Sequence, residues 1–194
     1  MIDKEDDPQI VEVFARFGRA MYMANVVELS MIQTLLQVEF LTPAREKIIK
    51  DNGKSFDPKA FATELDAFMR KQAKKTMGTL NMGVSKHPIF DEELRKRIMD
   101  ATLRRNFLAH HYWPSIAEKF MTKIGRDEMI AELSKDADTL EQLDIDVRIA
   151  TKPVREKLGI NEEALNQRVE QNLGATSEAQ TELTIPPIRR RLLI

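Results

Sequence analysis

The sequence predicts an all-α protein, and three observations carry that expectation. Only seven Gly and eight Pro interrupt 194 residues. Aromatic residues are 6% of the chain, too few for a turn-rich sandwich or barrel. Apolar side chains also recur at spacings of three and four, the period of a helix with one buried face. A chain of this length suits one main domain, since domains run to roughly 100–200 residues. Thirty Lys and Arg against thirty-one Asp and Glu give a net charge of −1, which fits neither a basic nucleic-acid wrapper nor an acidic disordered tail. The absence of Cys excludes disulfides, thiolate metal sites and cysteine nucleophiles, and it suits a reducing compartment.

The first decapeptide, MIDKEDDPQI, is acidic where a secretory signal carries basic residues. The most apolar stretch, Ala24 to Leu36, is broken by Glu28, Ser30 and Gln33 and falls short of the roughly 20 residues of a bilayer span. A soluble cytoplasmic protein without membrane contact is expected. Asp7 and Pro8 supply an N-cap and first-turn proline for one long helix ending near Phe40. Phe17, Met21, Ala24, Met31, Leu35 and Val38 form its core stripe, and Glu28 lies on that stripe. A carboxylate there needs a partner from elsewhere in the chain.

Thr42-Pro43 opens a short basic segment that closes at the turn Asp51-Asn52-Gly53. Asp57-Pro58 repeats the helix start, and Phe61, Leu65, Phe68 and Met69 give that helix an apolar face to about Leu80. Arg70, Lys71, Lys74 and Lys75 make its end basic, either as a solvated face favoured by the helix dipole or as a phosphate-attracting patch. Asn81 to Pro88, with Gly83, Ser85 and His87, reads as a loop. Asp91, Glu92 and Glu93 begin the next helix, whose apolar side is Leu94, Ile98, Ala101 and Leu108. Pro114 limits it, so His110, His111, Tyr112 and Trp113 fall in or just past its last turn. A short helix over Ser115 to Met121, a bend at Gly125 and a long helix from about Arg126 to Ala150 follow, the last with Met129, Leu133, Leu140, Leu143 and Val147 inward. Pro153 is expected to stop it. The expected organisation is a helical bundle domain over 1–150 and an extension over 151–194, comprising one weak helix from Val154 to Leu173 and a basic tail ending in TIPPIRRRLLI.

Glycine-rich phosphate loops are absent, which removes the common nucleotide-binding routes. His110 and His111 are adjacent, with helix directions roughly 100° apart, and no His-x3-His spacing exists. No metal and no cofactor are therefore expected. Chemistry concentrates instead in Arg104-Arg105-Asn106-Phe107-Leu108-Ala109-His110-His111-Tyr112-Trp113. Asn106 and His110 share a helix face, whereas Arg105 points about 140° from His110. A second copy of the chain, related by a two-fold axis, is the simplest way to bring guanidinium and imidazole together. An imidazole can exchange a proton near neutral pH, and a guanidinium can clamp a phosphate. In RNA the 2′-hydroxyl is the nucleophile, so a proton-transfer group, positive charge and orientation suffice without metal. The same residues also have a structural reading, in which Arg105 pairs with Glu28, Asn106 bonds backbone and His110 caps the helix dipole.

Arg105-Asn106-Phe107-Leu108-Ala109-His110 resembles the Arg-x4-His motif of the HEPN superfamily, and Tyr112 extends it to the Arg-x4-His-x-Tyr pattern of HEPN toxins. Phe17 to Tyr22 with Glu28, and Lys75 to Leu80, are similar to stretches of uncharacterised bacterial HEPN-like proteins. The resemblance spans roughly residues 10 to 150. It implies an up-and-down helical bundle that dimerises through its motif helices and cuts RNA without metal, in toxin-antitoxin or defence and stress responses. Arg105, His110 and Asn106 would be catalytic, with Arg104 and His111 contacting substrate and Glu28 fixing an arginine from the core side. Tyr112 would be a modification candidate, the matching toxin tyrosine being nucleotidylated by a nucleotidyltransferase-type antitoxin. Other superfamily members keep the fold without cutting RNA, so the resemblance equally implies a non-catalytic helical dimerisation, scaffold or RNA-binding module.

Overall fold

The computed structural model describes residues 7–54, 56–161 and 167. The chain divides into a unit ending at Leu158 and a second unit from Gly159. The described part of the first unit is entirely helical, with no strand. Its elements are α1 (Pro8–Leu35), α2 (Thr42–Lys50), α3 (Pro58–Ala73), α4 (Met77–Val84), α5 (Glu92–His110), the single turns α6 (Tyr112–Ser115) and α7 (Ala117–Phe120), and α8 (Lys123–Leu158). Among the described residues no helix is long and apolar enough to cross a membrane.

α1 begins as its sequence dictates. The Asp7 carboxylate accepts a hydrogen bond from the Gln9 N–H at 2.9 Å, and Pro8 occupies the first turn. Ala24, Met31 and Leu35 of its stripe are fully buried. The helical path does not stop near Phe40. Pro43 has no N–H to continue the α register, and the chain widens into a π-helical turn over Leu36–Leu41, where the Thr42 N–H reaches back five residues to the Gln37 carbonyl. α2 then runs on to the left-handed pair Asn52 and Gly53, with φ of 54° and 75°.

Two expected boundaries shift in the middle of the chain. α3 stops at Ala73 rather than near Leu80, and Thr76 caps a new helix by accepting from the Thr79 N–H at 3.3 Å. Asn81 to Val84, expected as loop, belongs to α4. Gly83 fits there because a Cβ at its position would lie 3.3 Å from Leu35 Cδ2, so α4 approaches α1 closely. The π-helical turn meets α3 through Phe40, whose ring lies 5.4 Å from both Phe61 and Phe68.

α5 and α8 enclose the core with α1. One apolar cluster joins Val27, Met31 and Leu35 to Leu80, Ile98, Leu143 and Val147. A second joins Val13 and Ala20 to Leu108, Tyr112, Met129 and Leu133. Contact order fixes directions: Arg126 meets Asp7, Arg19 meets Asp138 and Glu141, and Ser30 meets Asp144, so α8 runs parallel to α1. α5 is antiparallel to both, since Arg97 pairs with Asp146 at 2.7 Å and Arg104 with Asp136.

The expected helix over Ser115 to Met121 is two single turns broken at Ile116. α8 begins at Lys123 and passes through Pro153 to Leu158, well beyond Ala150. Pro153 removes only the N–H that would serve the Ile149 carbonyl, and around it the Thr151 hydroxyl adds a bond to the Val147 carbonyl at 2.9 Å and the Arg155 guanidinium one to that of Arg148 at 2.8 Å. Gly159, at φ 74°, follows as a left-handed terminator. The remainder of the helix expected to Leu173 and the basic tail lie outside the described residues, apart from Ile160, Asn161 and Gln167.

Gly125 is not a bend. It lies inside the first turn of α8, where its N–H bonds the Thr122 hydroxyl at 3.0 Å and a Cβ would sit 2.1 Å from the Lys119 carbonyl oxygen. Gly125→Ala should therefore push α7 from α8 and lower stability by about 1–3 kcal/mol, despite a helix-propensity gain of roughly 1 kcal/mol. Urea unfolding of the two proteins measures the difference.

Candidate active site

The last three turns of α5 send neighbouring side chains to different places. Residues 104 and 105 are roughly 100° apart on a helix, and the two arginines accordingly serve different helices. Arg104 turns to α8. Its Nε donates to Asp136 Oδ2 at 2.8 Å, Nη2 donates to the same oxygen at 2.5 Å and to Glu132 Oε1 at 2.6 Å, and its guanidinium lies 4.9 Å over the Phe107 ring. Burial lowers its pKa, but the hydrogen bonds to Asp136 and Glu132 outweigh burial and raise it above the ordinary arginine value. Expected to contact an RNA backbone, Arg104 is instead committed to two carboxylates that tie α5 to α8.

Arg105 turns to α1. Its Nη2 lies 3.6 Å from Glu28 Oε2, and the two side chains are 26% and 21% exposed. The partner that Glu28 requires at a core-edge position is therefore Arg105. At this distance the fork is not seated on the carboxylate as Arg104 is on Asp136. Nη1 has only a long contact with Asn106 Oδ1, at 3.5 Å, and the buried Nε has no hydrogen-bond partner. Arg105 keeps donor capacity that Arg104 has used.

His110 ends α5 and is exposed, as are Asn106 and His111. The two histidine rings meet edge to face at 6.3 Å. No hydrogen bond joins Arg105 to His110 within one copy of the chain: Arg105 faces α1 while Asn106 and His110 stand on the outer side of α5. The helical-wheel separation read from the sequence is thus maintained in the fold. Among the described residues no group of three acidic or histidine side chains is placed to hold a metal ion.

Tyr112 differs most from expectation. It is fully buried, stacked on Phe17 at 5.5 Å and edge-on to Phe107 and Trp113. Its hydroxyl has no hydrogen-bond partner, and burial, then the nearby Glu132 carboxylate, push its pKa up to about 12. A modifying enzyme cannot reach this phenol in the folded chain. Pro114 draws Tyr112 into a turn beneath α5, so the side chain that follows the motif in sequence leaves its surface.

The outer side of α1, outside the core stripe, is a surface that sequence patterning does not single out. Val11, Phe14, Gly18, Tyr22, Asn25 and Leu29 are all exposed and none is charged. Tyr22 is 64% and Leu29 57% exposed, and nothing lies within 4 Å of a Cβ built on Gly18. On α5, with Arg97 and Arg104 turned to α8 and Arg105 to α1, the exposed positions Met99, Leu103, Asn106 and His110 occupy the remaining side. The Glu28–Arg105 pair joins α1 to α5 beside these exposed stripes, that of α5 also carrying Glu92 and Lys96 at its start.

No family model matches this chain, and neither a curated protein nor a solved structure shows significant similarity to it.

Because the Tyr112 hydroxyl is buried without a partner, Tyr112→Phe removes a desolvated polar group and should leave stability unchanged or raise it by up to about 1 kcal/mol. Ultraviolet titration should show this tyrosine ionising only near pH 12 or on unfolding.

Proposed function

We propose that this protein is a metal-independent endoribonuclease of HEPN type, acting as a homodimer in toxin-antitoxin or defence and stress responses. The observation that carries the reading is the contrast between neighbours: Arg104 is held by Glu132 and Asp136, whereas Arg105 is only loosely engaged by Glu28 and keeps donor capacity, with His110 exposed at the end of the same helix. Glu28 orients Arg105 without exhausting its donors. The uncharged flanks around Tyr22, Leu29, Met99 and Leu103 would receive the second copy, so that Arg105 of one chain faces His110 of its mate.

In that arrangement the 2′-hydroxyl of RNA attacks the adjacent phosphorus and the 5′-oxygen leaves. His110 would move the proton as general base or acid, Arg105 would hold the crowded phosphate, and Asn106 would orient the substrate. His111, exposed beside His110, remains available for backbone contact. The products are a 2′,3′-cyclic phosphate and a 5′-hydroxyl.

A second reading is favoured by the Glu28–Arg105 contact itself. A non-catalytic helical dimerisation module, which would use this pair only to fasten α1 to α5, needs no chemistry from His110.

Incubation of the protein with RNA in excess chelator separates the two. The nuclease reading expects cutting that falls by about 10²–10⁴-fold in His110→Ala and to a similar extent in Arg105→Ala, with little change in melting temperature for the exposed His110. A wild-type chain that leaves RNA intact while Arg105→Ala melts early selects the scaffold. Tyr22→Arg with Leu29→Arg should give monomers by sedimentation in either case, and only an active dimer loses cutting as well.

A further inference from the structure

The chain is close to neutral, yet its charge is unevenly distributed. Residues 42–86, which hold α2, α3 and α4, carry ten Lys and Arg against five Asp and Glu; the rest of the sequence carries twenty against twenty-six. Two of those five acids are also committed to the backbone. The Asp57 carboxylate accepts from the Lys59 and Ala60 N–H groups at the start of α3, and that of Asp51 accepts from the Gly53 N–H.

Pairing makes the asymmetry sharper. In the α1, α5 and α8 bundle, Arg16, Arg19, Arg97, Arg104, Arg105 and Arg126 each have a carboxylate partner, whereas Arg95 bonds the His87 carbonyl. In contrast, no described carboxylate lies within ion-pair distance of Arg70, Lys71, Lys74 or Lys75. Relief of the helix dipole accounts for Arg70 and Lys71 in the last turn of α3 and for Lys74 at its C-cap, but Lys75 lies beyond it. Nor does folding need the charges: α2 buries no side chain and α3 buries only Gln72. Unpaired cations gathered on one helical hairpin, with Arg70, Lys71 and Lys74 exposed and Lys75 half-buried, complement a polyanion.

The other end of the hairpin adds an aromatic element. A cleft of about 140 Å³ between α2 and the start of α3 is lined in part by Lys47, Ile48, Phe56, Phe61 and Glu64. Phe56 is 44% exposed and rests on Phe61, with ring centroids 5.8 Å apart. An aromatic face held by a second ring and flanked by a lysine is what a nucleic-acid base stacks on, while Glu64 can accept from base amino or imino groups.

We propose that the α2–α3 hairpin is a binding surface for single-stranded nucleic acid, its cations meeting phosphates and Phe56 receiving a base. Only the choice of RNA rests on the ribonuclease reading; the binding itself does not need Arg105 or His110. The surface would hold substrate for the α5 site as a separate anchoring point.

The test uses the full chain and a fluorescent 20-nucleotide 2′-O-methyl oligouridylate, which cannot be cut by 2′-hydroxyl attack, so binding is read apart from cleavage. Anisotropy should show binding that weakens with salt. Replacing Arg70, Lys71, Lys74 and Lys75 together by Gln should reduce affinity by about tenfold or more and flatten the salt dependence, each lost contact removing about 0.7 from the logarithmic slope. Phe56→Ala should weaken binding severalfold with the salt slope unchanged. The proposal is overturned if the quadruple variant keeps wild-type melting and wild-type affinity. It is equally overturned if the wild-type chain ignores the oligonucleotide yet coats phosphatidylserine vesicles, which would make the hairpin a membrane contact. Normal binding with no cutting of ordinary RNA would support this surface and sink the nuclease reading alone.

Discussion

The parallel seam between α1 and α8 fixes the rest of the molecule, and its most restrictive contact is the buried hydrogen bond from the Ser30 hydroxyl to the Asp144 carboxylate. Apolar layers alone tolerate sliding, because Ala24, Val27 and Met31 repeat at helical spacing and one layer substitutes for another. A buried carboxylate does not tolerate it. Displacing α1 by a turn would leave Asp144 without its donor, at a cost of several kcal/mol. Ion pairs at Arg126 with Asp7 and at Arg19 with Asp138 and Glu141 hold the same register nearer the start of α1.

Once that register is set, the rotation of α1 is set too. Ser30 and Glu28 are two residues apart and so point about 160° from each other. With Ser30 held against α8, Glu28 must face the other way, where α5 passes and Arg105 is waiting. The exposed stripe from Val11 to Leu29 then follows as the side of α1 that neither neighbour covers. α5 is bound by the same logic from both sides, with Arg97 and Arg104 on α8 and Arg105 on α1. The candidate site is a by-product of three helices fixing one another's rotation.

Legibility from sequence tracked how local the cause was. The caps at Asp7, Asp57 and Asp91, and the buried faces of α5 and α8, depend on residues a few positions apart and were readable. The break at Thr76 and the passage of α8 through Pro153 were not. The first depends on the Thr76 hydroxyl taking the Thr79 N–H, and the second on a long helix absorbing one missing N–H at Pro153. Gly125 has a tertiary cause, the close passage of Lys119. The candidate residues divide in the same way. The exposure of His110 at the end of α5 follows from Pro114, whereas the opposite destinies of Arg104 and Arg105 depend on which helices lie beside α5. The burial of Tyr112 beneath α5, against Phe17, is a long-range contact that local spacing does not carry.

Charge is partitioned along the same lines as packing. The bundle's excess of acids gives six of its arginines partners, which suits helices that must hold fixed rotations but presents a net negative body to any nucleic acid. At physiological salt an exposed charge acts over only about 8 Å, so cations on the α2–α3 hairpin cannot offset that repulsion as a diffuse field. They contribute where a phosphate touches them. On the proposed reading, affinity would come from the positively charged hairpin and geometry from the bundle, so the two properties could change independently. The weak hold of Glu28 on Arg105 belongs to the second set: it lets a guanidinium stay oriented at the edge of an acidic bundle without being neutralised by it.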